Sequence, residues 1–142
     1  MTAVLTFDNV KNEISNLAEA IRRDGFHPDY LVGIARGGWI PTRILSTVLG
    51  VKQLLSLGVT YEDSSRTTLT TYSKPHPFPT SKRILLIEDC LESGKSLEYG
   101  VNLFRSAGND VRSAALFVTS KTVFTPDFYN NSLNFVPQFP WE

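Results

Sequence analysis

The sequence predicts an α/β domain, a mostly parallel twisted sheet with helices on both faces. Three observations predict it. The short apolar runs Tyr30–Ile34 and Ile84–Ile87 have the length and composition of strands buried on both faces. Other segments carry apolar residues every three or four positions, the spacing of amphipathic helices. The two kinds alternate along the chain, as a parallel sheet with crossover helices requires.

The periodicity predicts a surface helix over Asp8–Arg23, with Val10, Ile14, Leu17, Ala18 and Ile21 inward and Asp24-Gly25 as its stop. Tyr30–Ile34 is a strand leading into Ala35-Arg36-Gly37-Gly38. After it, Ile40, Ile44, Leu45, Val48 and Leu49 outline a helix with Pro41 in its first turn and Gly50 at its end. Val51–Tyr61 reads as a further strand, weakened by Gly58. Glu62–Lys82 is rich in Ser and Thr, carries Pro75, Pro77 and Pro79, and reads as a long exposed loop of the kind that serves as a lid or binding loop. Ile84–Ile87 is the next strand, Leu97, Val101 and Phe104 mark the following helix, and Gly108 ends it. Val111–Thr119 is a strand, and Phe124–Glu142 reads as an irregular aromatic tail.

The 142 residues are 42% hydrophobic, with no shift of composition, and are expected to form a single domain over residues 1–142. Fourteen Lys and Arg balance 14 Asp and Glu, so no basic field exists to hold nucleic acid or an anionic membrane. Phosphate specificity has to be local. Cys90 has no internal disulfide partner, Met1–Phe7 lacks the regions of a signal peptide, and no apolar run approaches membrane-spanning length. The expectation is a cytoplasmic protein without integral membrane association. His27 and His76 are isolated and offer no metal spacing.

In open α/β sheets ligands bind beyond the carboxyl ends of the strands. There the apolar run Ile84–Ile87 meets two acids, Glu88 and Asp89, and then a small turn at the start of a helix. Ser93-Gly94-Lys95-Ser96 looks like the end of a nucleoside-triphosphate P-loop, but that motif needs a glycine where Asp89 stands. A shorter phosphate cradle remains. Ser93 and Ser96 can donate hydroxyl bonds, Gly94 lets the backbone come close, and the helix N-terminus attracts an anion. Glu88 and Asp89 can accept from ribose hydroxyls or bind Mg²⁺. Each residue alone has a plainer reading: acids cap helices, Arg36 forms a surface ion pair, Lys121 is exposed, and Phe135, Phe139 and Trp141 pack the tail. Their combination in one order favours the site.

The stretch Ile84-Leu85-Leu86-Ile87-Glu88-Asp89-Cys90-Leu91-Glu92-Ser93-Gly94-Lys95-Ser96 resembles the fingerprint of the type I phosphoribosyltransferases. That fingerprint is four apolar residues, two acids, two apolar residues, an acidic or small residue, a small residue, Gly, any residue, and Ser or Thr. With Ala35-Arg36-Gly37-Gly38, Thr60-Tyr61, Lys121 and the ending Phe139-Pro140-Trp141-Glu142, the chain is most similar to the bacterial xanthine-guanine branch. Two positions depart: Cys90 replaces a usual aliphatic, and Glu92 stands where the purine enzymes usually carry Asp.

The resemblance implies that family's fold with a small C-terminal hood. It also implies transfer of ribose 5-phosphate from phosphoribosyl pyrophosphate to a 6-oxopurine (guanine, xanthine or hypoxanthine), with release of pyrophosphate. Glu88, Asp89, Cys90, Leu91, Glu92, Ser93, Gly94, Lys95 and Ser96 would bind the sugar phosphate, with Mg²⁺ on Asp89 and Glu88 and acid–base work on Glu92. Arg36, Gly37 and Gly38 would meet the pyrophosphate, a loop around Tyr61 would close, and Lys121 with Phe135 or its neighbour Val136 would contact the purine. The implied partners are these small molecules and further copies of the chain in a homo-oligomer, with no nucleic acid. The alternative is a non-catalytic protein of the same fold that senses phosphoribosyl pyrophosphate or a nucleotide.

Overall fold

The computed structural model describes residues 3–142; Met1 and Thr2, which open the stretch read as lacking a signal peptide, lie outside the described residues. The elements follow as α1 (Phe7–Asp24), β1 (Tyr30–Ile34), α2 (Trp39–Leu49), β2 (Leu54–Tyr61), β3 (Leu69–Ser73), β4 (Arg83–Leu91), α3 (Lys95–Ser106), β5 (Asp110–Thr119) and β6 (Phe128–Leu133). They build one six-stranded sheet in the order β3-β2-β1-β4-β5-β6. All neighbours pair in parallel except β2 and β3, which form an antiparallel hairpin. From β1 the chain steps outward to β2, then returns across β1 to β4. The order therefore reverses between β1 and β4, which is where doubly wound sheets open a crevice for ligands.

Alternation along the strands divides the core into two layers. Leu31, Leu85 and Ile87 pack with Val10, Ile14, Leu17 and Leu45 on the face carrying α1 and α2. Val32, Ile84 and Leu86 pack with Leu97, Val101 and Phe104 of α3 on the other. Phe104 is fully buried, and deleting such a side chain costs roughly 3–5 kcal/mol, so α3 is firmly docked. Helix α1 begins at a capping box, in which Thr6 accepts from the Asn9 N–H and the Asn9 side chain accepts from the Thr6 N–H, and it buries the five residues its periodicity predicts.

Four segments differ from their sequence reading. Within the expected loop Glu62–Lys82, Leu69–Ser73 forms β3, whose polar side chains are half-buried or exposed and give little hydrophobic signal. The expected irregular tail contains β6, where Phe128 alone is buried among polar neighbours. The strand expected from Val51 begins only at Leu54, and its ladder to β3 shifts register between Gly58 and Val59. Glu88 and Asp89 sit inside the last turn-ward residues of β4, which runs through Leu91, rather than in the turn itself. Beyond β6 the tail folds back on the N-terminal segment through a Val4–Gln138 bridge and forms a hood over one side of the sheet's carboxyl edge. Among the described residues, no helix is long and apolar enough to cross a membrane.

Candidate active site at the sheet's carboxyl edge

The turn after β4 is held from behind. The buried Thr119 hydroxyl donates to the Glu92 carbonyl at 3.0 Å, and the Val123 N–H donates to the Ser93 carbonyl at 2.9 Å. Gly94 is the N-cap of α3 with φ +80, supplies no side-chain cap, and has no room for a Cβ beside the Thr122 hydroxyl. Ser93 Oγ accepts from the Lys95 N–H at 3.3 Å, and the N–H groups of Ser96 and Leu97 are left without a capping side chain at the positive end of the dipole, as an anion site requires. Ser93, Gly94 and Ser96 line a cavity of about 170 Å³ together with Glu88, Glu92, Tyr61 and Arg66.

Arg66 is a residue the sequence reading missed. It lies in the β2–β3 hairpin, in the left-handed region at φ 58, with its guanidinium 4.9 Å from the centre of the Tyr61 ring. Asp63 organises this hairpin tip: its carboxylate accepts from the Ser65 and Thr67 hydroxyls and from the Thr68 and Thr67 N–H groups, which hold it well below the usual carboxylate range. Only the folding of the supposed loop into a hairpin brings Arg66 over the cradle; an arginine between Ser and Thr gives no local signal.

A larger cleft of about 700 Å³ opens between the loop after β1 and the tail, lined by Arg36, Gly37, Asp89, Cys90, Glu92, Val136, Trp141 and Glu142 among others. Gly37 and Gly38 are required by close approach. A Cβ at Gly37 would lie 2.5 Å from Asp89 Oδ2, and one at Gly38 would overlap the Ile87 carbonyl. The Ala35–Arg36 peptide is cis. Lys121 and Lys95 line a third cavity of about 410 Å³ with Tyr61, Arg66, Glu92 and Ser93. Glu92 borders all three.

The structure separates some of the expected residues. Glu88 faces the small cradle and Asp89 the large cleft, as the two-residue period of a strand dictates. Lys121 lies on the cavity next to the cradle, not on the cleft, and Val136 lines the cleft while its neighbour Phe135 does not. Phe139 and Trp141, parallel at 9° with centres 4.7 Å apart, form part of the cleft wall.

Burial, then the Asp89 charge, pushes the Glu88 carboxyl up to about 8. Asp89 is also raised, chiefly by burial, against the opposing Cys90 N–H that it accepts at 2.6 Å. Burial and then the flanking acids push the Cys90 thiol up to about 12, so it is a small apolar filler and not a nucleophile. Neither Glu88 nor Asp89 has an ion-pair partner among the described residues. Glu88 on the cradle and Asp89 on the cleft are raised carboxylates without an ion-pair partner, the kind of donor that Mg²⁺ takes one or two at a time together with phosphate oxygens. No cluster of three or more acidic, His or Cys ligands occurs among the described residues, so a metal held here would need substrate or water oxygens to complete its coordination.

A doubly wound sheet with a helix N-terminus and two acids at its switch point has its candidate ligand site where α/β proteins of this class bind their ligands. Residues 2–141 match the model of the phosphoribosyl transferase domain, and the chain belongs to that family of phosphoribosyltransferases. A purine phosphoribosyltransferase from Pyrococcus horikoshii OT3 is 30% identical and superposes with a TM-score of 0.89, over 99% of this chain and 93% of that one. A hypothetical protein from Neisseria gonorrhoeae with bound ppGpp is 23% identical, with a TM-score of 0.88 over 100% and 89% of the two chains. The xanthine-guanine-hypoxanthine phosphoribosyltransferase of Helicobacter pylori is 20% identical, with a TM-score of 0.89 over 100% and 94%. No curated protein matches the sequence.

Proposed function

We propose that the protein transfers ribose 5-phosphate from phosphoribosyl pyrophosphate to a 6-oxopurine in nucleobase salvage. The observation that carries this reading is the position of Glu92, the one acid that borders the phosphate cradle, the large cleft and the cavity of Lys121. A purine in the cleft and a 5′-phosphate in the cradle would meet at this side chain.

In this reading the Glu92–Ser96 turn holds the 5′-phosphate with Arg66 above it, Glu88 accepts from the ribose hydroxyls, and Arg36 with the Gly37 and Gly38 amides takes the pyrophosphate. Arg36 suits that role through its fork of donors. Asp89 and Glu88 would hold Mg²⁺, which neutralises pyrophosphate charge. The C1′–O bond to pyrophosphate breaks as the bond from C1′ to the purine nitrogen forms, and Glu92 takes the imidazole proton. The Val136–Trp141 wall covers the ring, and Lys121, which lines the neighbouring cavity on the other side of Glu92, would have to reach past that side chain to donate to the 6-oxo group. Closure of the hairpin around Tyr61 excludes water from the cationic sugar. Homo-oligomerisation and a cytoplasmic location complete the proposal; size-exclusion chromatography and cell fractionation check them.

The test is pyrophosphate release from phosphoribosyl pyrophosphate and Mg²⁺ with guanine, xanthine or hypoxanthine, against adenine, uracil and orotate as controls. Release with a 6-oxopurine alone supports the proposal. The second reading, a non-catalytic nucleotide sensor, is favoured by the ppGpp bound to the Neisseria gonorrhoeae protein and by Glu92 in place of the usual Asp. Saturable binding of phosphoribosyl pyrophosphate or ppGpp, without release for any base, would establish it.

A further inference from the structure

We propose that residues 3–7, distant in sequence from every substrate residue, belong to the purine site, with Phe7 acting as a positioning residue for Trp141. This rests on the reading of the large cleft as the purine's place. Trp141 lines that cleft beside Asp89 and Glu92. One face of its indole lies on Phe139, which is anchored in the core at 2% exposure and 6.2 Å from Phe117. The Asp89 carboxylate meets the indole from the cleft, and the second aromatic ring beside it is Phe7, at 6.5 Å and 54°.

The backbone makes the coupling specific. The tail after β6 has no strand partner of its own. It is tied down by the Leu5 N–H donating to the Gln138 carbonyl at 2.9 Å and the Gln138 N–H donating to the Ala3 carbonyl at 2.8 Å. At its tip the Phe139 N–H donates to Glu142 Oε1 at 2.9 Å and the Glu142 N–H to the Phe139 carbonyl at 3.2 Å, closing a small loop around Trp141. Residues 3–5 in turn are fixed to α1 by the Thr6–Asn9 capping box, which sets where Phe7 stands. Phe7 is 52% exposed, so it contributes little to the core. Its ring restricts the indole on the side that the core leaves free, and a wall that swings changes purine binding more than sugar-phosphate binding.

The experiment compares Phe7→Ala and Phe7→Tyr with wild type in steady-state assays and by ¹⁹F NMR of protein labelled with 5-fluorotryptophan, where Trp141→Phe assigns the two resonances. Loss of one aromatic pair should raise the purine KM about three- to tenfold in Phe7→Ala, with the phosphoribosyl pyrophosphate KM within about twofold and the thermal midpoint within about 3 °C. The Trp141 resonance should shift or broaden while that of Trp39 stays, and Phe7→Tyr should restore both readouts. An unchanged purine KM, or equal rises in both KM values, overturns the proposal. If wild type transfers to no purine, the functional reading fails separately, and GMP titration on the Trp141 resonance decides this one. A GMP shift altered by Phe7→Ala sustains it, and an unaltered response overturns it.

Discussion

Gly37 packs directly against the Asp89 carboxylate, where a Cβ would stand 2.5 Å from Oδ2 and 2.7 Å from Oδ1. The loop after β1 and the end of β4 thus meet at the switch point only because one of them has no side chain there. Gly37→Ala has to displace the carboxylate or the loop. A misplacement of about 1 Å in such a site costs on the order of 100-fold. Steady-state assays should show a loss of about 10- to 100-fold in kcat/KM for phosphoribosyl pyrophosphate, with an unchanged circular dichroism spectrum. Wild-type kinetics in this variant would mean that the loop and Asp89 do not act together.

Glu92→Gln keeps the shape of the side chain and removes its charge and basicity. General acid–base catalysis contributes about 10²–10⁴-fold, so kcat should fall by about 100-fold or more while phosphoribosyl pyrophosphate binding stays within a few-fold. Calorimetric titration beside the turnover assay checks both halves. Unchanged turnover would remove Glu92 from the mechanism.

Arg66 lies over Tyr61 and faces the cradle from the hairpin. A hydrogen bond to a charged group contributes about 1.5–3 kcal/mol, so Arg66→Ala should raise the phosphoribosyl pyrophosphate KM by about 10-fold or more. Because Arg66 is exposed, that penalty should shrink as salt rises. A KM insensitive to the substitution would place the hairpin outside the closed site.

Stability should depend on pH through Glu88. Its carboxyl is raised from 4.5 to about 8 in the folded chain, so across that interval the native state holds a proton that the unfolded chain has released. The contribution is fully present below the lower value, falls as pH rises, and is lost above the upper one. The thermal midpoint of the ligand-free protein should therefore drop between about pH 5 and pH 8, and Glu88→Gln should flatten that slope and raise the midpoint at the alkaline end. Each kcal/mol relieved corresponds to about 2–4 °C in a chain of this size. Equal slopes in the two proteins would contradict the assignment.

The parallel core was legible because burial on both faces leaves no polar alternation to confuse it: Tyr30–Ile34 and Ile84–Ile87 lie where their composition puts them. The helices were legible for the same reason, through residues such as Ile14 and Phe104. The edge strands were not. Leu69–Ser73 carries Thr and Tyr on a half-exposed surface, and its β-branched and aromatic residues were the one signal that could have found it. Phe128–Leu133 hides behind two asparagines and a serine. In the site, the turn at the start of α3 and the closely packed glycines were readable from local order. The split of Glu88 from Asp89 follows from strand alternation, but only once the strand is known to run on to Leu91. The place of Arg66 over the cradle depends on pairing between β2 and β3, and no sequence window contains that.

The proposed function stands on the turn from Glu92 to Ser96 gripping a 5′-phosphate. A crystal structure of the protein soaked with Mg²⁺ and GMP tests it most directly. The account predicts phosphate density on the N–H groups at the start of α3, with Arg66 closing over it and the purine against the wall of Val136 and Trp141. Nucleotide bound elsewhere, or an empty turn at millimolar GMP, would contradict it.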